Sequence, residues 1–236
     1  MDLRELVKIL YPREKGERPI IMERLVCVII GYVCGLLQTG YLYGKWKHID
    51  IRQHGSGNAG TTNTLRTLGW KAGMITFLGD FLKCVVAVWI VHILYSQAYP
   101  EELALLSMYA GMGAVLGHNY PFYLKFKGGK GIAATAGLIF ATNPMMMLIA
   151  AIVFWVIVGI TRYVSLGSLT IVVLFVVEVV VYGQRGGFGL SQAHLYEMYA
   201  IAVFLMLSAF YKHRANIKRL LNGTENKFGA KKKQED

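Results

Sequence analysis

Cysteine and acidic residues are scarce in this sequence, and each shortage excludes a class of protein. The 236 residues include 3 cysteines and 14 aspartates and glutamates, against 25 lysines and arginines. Cys27, Cys34 and Cys84 lie in apolar segments, at a spacing that fits no metal or redox motif. We therefore predict reduced cysteines, no metal ion and no cofactor. Three histidines show no ligand spacing either: His48, His54 and His92.

The shortage of acidic residues leaves a formal net charge of +11 at pH 7. In a soluble protein, this excess would suggest a nucleic-acid partner. Here 55% of the residues are hydrophobic and the mean hydropathy is +0.43. Basic residues of membrane proteins collect in cytoplasmic loops, where they fix the orientation of the chain. We therefore predict contact with membrane lipids and no nucleic-acid partner.

The sequence also lacks the alternating pattern of membrane strands, and residues 1–20 lack the apolar run of a cleavable signal peptide. Instead, several apolar stretches of about 17–25 residues are long enough to cross a bilayer as helices. They predict an all-α, polytopic integral membrane protein. Its seven helices are expected near positions 25–44, 72–95, 103–117, 131–142, 144–160, 164–182 and 195–211. The fourth is too short to cross alone.

The helix pattern suggests three parts: an N-terminal extension (1–20), a membrane domain (21–225) and a charged C-terminal tail (226–236). With the N-terminus outside, 17 lysines and arginines fall on the inner side and 7 on the outer side. This asymmetry predicts a multi-pass protein of the cell membrane with a cytoplasmic C-terminus. Three polar clusters between the helices then share the cytoplasmic face.

The first polar cluster, GSGNAGTTNTLRTLG, spans residues 55–69. Its small residues allow backbone N–H groups to approach an anion closely. Arg66 adds a planar guanidinium that matches two phosphate oxygens. Composition alone leaves a flexible, solvated loop as the alternative.

The second cluster, GHNYPFYLKFKGGKG, spans residues 117–131. It is not a nucleotide-binding P-loop, because Lys130 is followed by Gly131 and not by serine or threonine. Glycines around Lys130 still suit close approach to a phosphate, at the start of a helix whose dipole attracts anions. Lys125 and Lys127 are explained as basic residues of an inside loop.

The third cluster, HRANIKRLLNGTE, spans residues 213–225, and its first polar residues, His213, Asn216 and Arg219, share one helix face. A basic helix beside the membrane is the alternative interpretation. Asp80 and Lys83 are spaced to pair within the second span. Another intramembrane acid, Glu178, could receive a hydrogen bond from Tyr182.

At these three clusters the sequence resembles the bacterial membrane glycerol-3-phosphate acyltransferases that use acyl phosphate as donor. The family's motifs G-S-G-N-x-G-x-T-N-x-x-R-x-x-G, G-H-x-x-P with F-K-G-G-K-G, and H-x-x-N-x-x-R with G-x-E fit residues 55–69, 117–131 and 213–225. One departure is Cys84, where the family commonly has glycine in D-x-x-K-G.

The resemblance implies transfer of a fatty acyl group from acyl phosphate to the 1-hydroxyl of glycerol 3-phosphate. The products are 1-acylglycerol 3-phosphate and phosphate, and functional coupling to an acyl-phosphate-forming enzyme is expected. Catalytic roles are implied for Ser56, Arg66, Lys130, His213 and Asn216. Substrate binding is implied for Gly55, Gly57, Asn58, Thr62, Asn63, His118, Gly128, Gly129, Gly131 and Arg219. Glu225 is expected to brace the tail.

A membrane transporter for organic phosphates is the alternative function, since it would use the same glycine, arginine and lysine chemistry. Transporters usually contain inverted repeats with a site at the bilayer midplane. No internal repeat is visible, and the polar clusters lie at one surface. Soluble-type glycerophosphate acyltransferases are disfavoured, because none of the 6 histidines is followed by aspartate five residues later.

Overall fold

The computed structural model describes residues 20–229, which form ten α-helices, two 3₁₀ turns and no strand. The predicted N-terminal extension therefore lies, apart from Ile20, outside the described residues. The helices are α1 Ile21–Gly35, α2 Thr39–Trp46, α3 Thr61–Leu68, α4 Trp70–Tyr95, α5 Leu103–Asn119, α6 Ile132–Thr142, α7 Pro144–Thr161, α8 Val164–Gln184, α9 Gln192–Lys212 and α10 Arg214–Leu221. The 3₁₀ turns are Ile51–Gln53 and Phe122–Leu124.

The helices confirm the predicted all-α membrane class. Five helical segments of the described chain are long and apolar enough to cross a bilayer: Ile21–Trp46, α4, α7, α8 and α9. The other two predicted helices are shorter, with 17 residues in α5 and 11 in α6. Seven is therefore an approximate count of the helices that build the bundle.

The first predicted span is broken, although the sequence predicts one continuous helix there. Residues 36–38 separate α1 from α2. The nitrogen of the buried Gln38 amide, which has two hydrogens to donate, lies within hydrogen-bond distance of three carbonyl oxygens, those of Gly35 (3.2 Å), Gly117 (3.3 Å) and His118 (3.1 Å). These bonds satisfy carbonyls that the ends of α1 and α5 leave open. The break therefore lies against the start of the second polar cluster.

Small residues bring α1 and α5 into close contact. A Cβ added to Gly31 would lie 1.9 Å from the Ala110 carbonyl oxygen, and one added to Gly113 would lie 2.2 Å from the Val28 carbonyl oxygen. Helices in lipid associate through such backbone approaches, because no hydrophobic driving force pushes them together. This close approach brings Gln38, which follows α1, within reach of the carbonyl oxygens at the end of α5.

Gly31→Ala should therefore destabilise the protein by about 1–3 kcal/mol, because the methyl group forces the two backbones apart. The measurement is the free energy of unfolding in detergent. Gly159→Ala is the matched control, since Gly159 is also helical and a Cβ there meets no atom within 4 Å. Equal effects of the two substitutions would contradict the close-packing argument.

The core contains α6 at its centre. Its buried residues are Ala134, Thr135, Ala136, Gly137, Leu138 and Ile139, and it packs against α4, α5 and α7. Large apolar side chains on the outer helices are exposed instead, among them Trp89, Trp155, Ile160 and Leu207. This inside-out pattern fits helices that face lipid. Lys130, just before α6, is partly buried at the end of this central helix.

Candidate active site

Residues from the second and third polar clusters form one hydrogen-bonded chain. The Lys130 ammonium donates to Asn216 Oδ1. Asn216 Nδ2 donates to Glu225 Oε1 at 2.9 Å, and Arg219 Nε donates to Glu225 Oε2 at 2.7 Å. Glu225 therefore holds both α10 side chains in place. It also fixes the asparagine oxygen that receives Lys130.

The first cluster reaches the same place through Arg66, the only cation of residues 55–69. Arg66 projects from α3, and its guanidinium lies 3.5 Å from the Asn226 carbonyl oxygen, next to Glu225 in the chain. Arg66 and Lys130 thus lie near the Arg219–Glu225 pair, Arg66 through Asn226 and Lys130 through Asn216. The excess of positive charge suits an anion that enters between them.

Lys130 lies at the start of α6, where Gly131 adopts a left-handed φ of 82°. Burial, aided by the positive charge of Arg219, lowers the pKa of Lys130 to about 8. Near neutral pH, the ammonium form still predominates but is poorly solvated. A phosphate placed beside it would replace the missing solvation and favour the charged form.

The resemblance implies glycerol 3-phosphate as a substrate, and its KM should therefore rise as the pH passes upward through about 8. Deprotonation of Lys130 would remove a charge that attracts the phosphate. The measurement is KM across the pH range for the wild type and for Lys130→Arg, whose guanidinium stays charged throughout. A rise of the same size in both proteins would assign the titration to another group.

His213 ends α9 and is buried. Its Nδ1 lies 2.8 Å from the Ala209 carbonyl oxygen, which can only accept, so Nδ1 carries the hydrogen and Nε2 keeps a lone pair. Burial and the neighbouring Lys130 lower the pKa of His213 to about 4. The imidazole is therefore neutral at physiological pH, and Nε2 can accept a hydrogen bond but is a weak base.

The first cluster is held in shape by Asn63. Its Oδ1 accepts from the Ser56 backbone N–H at 2.8 Å. Its Nδ2 donates to the carbonyl oxygens of Ile51 (2.9 Å) and His54 (3.0 Å). A Cβ at Gly55, which has a φ of 61°, would lie 2.3 Å from Asn63 Oδ1. The Asn63 amide is thus occupied by the loop, and Ser56 is held at an exposed position.

The remaining predicted residues of the first cluster lie in its loop and in the first turn of α3. Asn58 Oδ1 accepts from the Gly60 N–H at 2.8 Å. Gly57 has a φ of 70°, which favours glycine at this turn. Thr62 lies in the first turn of α3. The cluster is therefore an ordered loop that leads into a short helix, and not a flexible segment throughout.

The second cluster folds back on the end of α5. The N–H groups of Gly128 and Gly129 donate to the carbonyl oxygens of Asn119 (3.3 Å) and His118 (3.1 Å). His118 is buried beneath Gly129, and its Nδ1 lies 2.8 Å from Lys83 Nζ. Lys125 and Lys127 are exposed, as expected for basic loop residues.

Sequence reasoning found the Asp80–Lys83 pair, whose atoms lie 2.8 Å apart, but missed its link to His118. It also missed an ion pair between Arg24 and Glu197, with 2.6 Å between Arg24 NH2 and Glu197 Oε2. No periodicity signals a contact between residues so far apart in the chain.

Glu178 does not pair with Tyr182 as expected. Both Glu178 oxygens are buried without a hydrogen-bond partner in residues 20–229, and the Tyr182 ring packs against Phe188 with centroids 4.8 Å apart.

Comparison with known proteins decides the family. A family model described as glycerol-3-phosphate acyltransferase matches residues 25–223, which include nearly all of the three clusters. The chain belongs to the glycerol-3-phosphate acyltransferase family. Glu225 lies two residues beyond the matched range, so its place in the site rests on the contacts described above.

The sequences of curated relatives match this acyltransferase along most of its length. The glycerol-3-phosphate acyltransferase of Clostridioides difficile (strain 630) is 42% identical over 217 residues, which cover 90% of this chain and 98% of the relative. The enzyme of the same name from Halalkalibacterium halodurans is 42% identical over 206 residues, which cover 87% of this chain and 95% of the relative.

A solved structure shares the fold of this acyltransferase. It is PlsY (YgiH), an integral membrane glycerol 3-phosphate acyltransferase in its glycerol 3-phosphate form. It is 34% identical, matches with a TM-score of 0.74, and the match covers 87% of this chain and 96% of that chain. A lysophosphatidic acid form of PlsY matches with the same TM-score of 0.74. The chain is thus a multi-pass membrane acyltransferase, and the transporter alternative is set aside.

Proposed function

We propose that this enzyme transfers a fatty acyl group from acyl phosphate to the 1-hydroxyl of sn-glycerol 3-phosphate. The products are 1-acylglycerol 3-phosphate (lysophosphatidic acid) and inorganic phosphate. The observation that carries the proposal is the convergence of three cations on one segment: Arg219 pairs with Glu225, Lys130 is linked to Glu225 through Asn216, and Arg66 reaches the Asn226 carbonyl oxygen. Both proposed substrates are phosphates, and a net positive site within one bundle suits them.

The acceptor is supported by the similar PlsY structures, which were solved in glycerol 3-phosphate and lysophosphatidic acid forms. We assign Arg219 and Asn216 to the acceptor side of the site, where Glu225 fixes them. Arg66 and the exposed Ser56 come from the other side, and we assign them to the donor phosphate. Lys130 lies between these groups.

In the proposed reaction, the 1-hydroxyl oxygen of glycerol 3-phosphate attacks the acyl carbonyl carbon. A new C–O ester bond forms, and the bond from that carbon to the phosphate oxygen breaks. The phosphate leaves with the bonding electron pair, and Arg66 and Lys130 neutralise the charge that it gains. The anhydride is already activated, so positioning and electrostatic stabilisation supply most of the catalysis.

The hydroxyl proton goes to an oxygen of the departing phosphate. His213 Nε2 accepts a hydrogen bond from the hydroxyl and orients it, because a group with a pKa of about 4 is a weak proton acceptor. The two possible roles of His213, base and orienting group, predict different losses on substitution.

His213→Ala should lower kcat by less than about tenfold, because an efficient general base contributes roughly 10²–10⁴-fold. The measurement is kcat at saturating concentrations of both substrates, with His213→Gln as a control that keeps a hydrogen-bond acceptor. A loss of more than about 10²-fold in both variants would instead identify His213 as the base.

The active site is proposed to face the cytoplasm, which agrees with the predicted positive-inside orientation. Acyl phosphate would then come from an enzyme on the same side of the membrane, since a mixed anhydride hydrolyses readily and must be delivered. Glycerol 3-phosphate reaches the site from water, and the acyl chain lies among the lipids.

The donor assignment is tested with purified protein in detergent. The protein receives glycerol 3-phosphate with acyl phosphate, acyl-CoA or acyl carrier protein carrying the same chain. Of the three donors, we expect only acyl phosphate to yield lysophosphatidic acid. Turnover with acyl-CoA at an equal or higher rate would contradict the proposed donor while leaving the acyltransferase activity intact.

A further inference from the structure

A buried charged cluster lies beneath the second polar cluster. Its members are Asp80 and Lys83 on α4 and His118 on α5, with exposed side-chain fractions of 1%, 1% and 3%. Ionised groups in such surroundings are costly unless each is fully paired. The proposed chemistry uses none of the α4 charges directly. Their partners indicate a different task.

Lys83 has one acceptor for each hydrogen of its ammonium group. Its Nζ lies 2.7 Å from the Leu37 carbonyl oxygen, 2.8 Å from Asp80 Oδ1 and 2.8 Å from His118 Nδ1. Since an ammonium has three donors and no acceptor, these bonds use it completely. The Leu37 carbonyl belongs to the break between α1 and α2. Lys83 therefore joins the broken span, α4 and α5 at one point.

The contact also determines where the His118 ring carries its hydrogen. Lys83 also faces the Asp80 carboxylate and the Leu37 carbonyl oxygen, which only accept, and an ammonium has donors only, so the hydrogen shared with His118 belongs to Lys83. His118 Nδ1 must then accept, and its hydrogen is on Nε2. Asp80 Oδ1, 3.4 Å from Nδ1, balances the lysine charge.

The other edge of the ring supports the glycine loop. A Cβ added to Gly129 would lie only 1.9 Å from His118 Nε2, so the ring packs directly under this backbone. The Gly129 N–H also donates to the His118 carbonyl oxygen at 3.1 Å. Gly129 precedes Lys130, whose ammonium reaches Asn216. A rotated His118 ring would displace Gly129 and with it Lys130.

We propose that Asp80 and Lys83 are positioning residues for Lys130: they fix the orientation and the Nε2–H tautomer of His118, which supports Gly129. The role rests on the proposed contribution of Lys130 to phosphate binding. It differs from a general stabilising ion pair, because its effect on activity passes through Lys130.

The tautomer is measured in the wild-type protein, without substrate, by ¹⁵N NMR of ¹⁵N-labelled histidine. The His118 signals are assigned by their loss in His118→Asn. We expect an unprotonated Nδ1 and a protonated Nε2. A protonated Nδ1 would overturn the proposal, whatever the donor of the reaction proves to be.

The effect on activity is measured in the double variant Asp80→Asn with Lys83→Met, which removes both charges and leaves no buried ion alone. We expect kcat/KM for glycerol 3-phosphate to fall about 10²-fold, as for a misplaced catalytic group. The donor in this assay is whichever one supports wild-type turnover. Adding Lys130→Ala to the double variant should cause little further loss, because both changes act on the same ammonium.

Arg24→Met with Glu197→Gln is the matched control. It removes another ion pair from the bundle, one that contacts Tyr109 and no residue of the proposed site. We expect this control to lose stability but to keep kcat/KM near the wild-type value. Equal losses of kcat/KM in the two double variants, or a full further loss from Lys130→Ala, would overturn the positioning role.

Discussion

Lys130→Ala should lower kcat/KM by about 10²–10³-fold, the loss found when one charge-stabilising donor is removed from an enzyme site. The ammonium donates to Asn216, and in the proposed reaction it lies between the two phosphates. Its removal weakens the neutralisation of the leaving phosphate and also frees the asparagine oxygen. The effect should therefore appear in kcat as well as in KM.

The measurement is steady-state kinetics with acyl phosphate and glycerol 3-phosphate. Lys127→Ala is the control within the same loop, because Lys127 is exposed and is explained by the inside charge alone. Its kinetics should match the wild type. Near-normal turnover of purified, folded Lys130→Ala would remove Lys130 from the mechanism and, with it, the positioning role of Asp80 and Lys83.

Arg66→Ala should cause a loss of similar size, about 10²–10³-fold in kcat/KM. Arg66 is the only cation of the first cluster and the group through which α3 reaches the site. Arg66→Lys keeps the charge but loses the planar fork. It should recover only part of the activity. The remaining loss should appear mainly as a weaker affinity for acyl phosphate.

The control for Arg66 is Lys71→Ala, which removes an exposed cation a short distance along the chain. Its kinetics are expected to stay close to those of the wild type. Full activity of Arg66→Lys would mean that charge alone suffices, and the proposed bidentate contact would be wrong. Full activity of Arg66→Ala would separate the first cluster from catalysis.

The sequence predicted the long apolar helices, and it predicted that the three clusters share one face of the membrane, because both predictions depend on local patterns. Apolar runs of suitable length mark helices whatever they pack against. Spacing along α10 places Asn216 and Arg219 on one face, and the structure directs both to Glu225. Charge and glycine content marked Lys130, and its bond to Asn216 joins two of the predicted clusters.

What could not be predicted depends on contacts between distant parts of the chain. The break at residues 36–38 interrupts an apolar run whose sequence predicts one continuous span. Gln38 in this break is hydrogen-bonded to carbonyl oxygens at the end of α5. Lys83 looked like a member of a local pair, because only Asp80 is close in sequence. Its bonds to Leu37 and His118 exist only in the folded bundle.

The proposed reaction requires acyl phosphate and glycerol 3-phosphate to react directly with each other at this site. The most direct measurement is a ³¹P NMR time course of the purified wild-type protein with both substrates. We predict that the two substrate signals fall at equal rates, while lysophosphatidic acid and inorganic phosphate appear in equal amounts. Release of inorganic phosphate without lysophosphatidic acid, or persistence of acyl phosphate while glycerol 3-phosphate is acylated from another donor, would contradict the account.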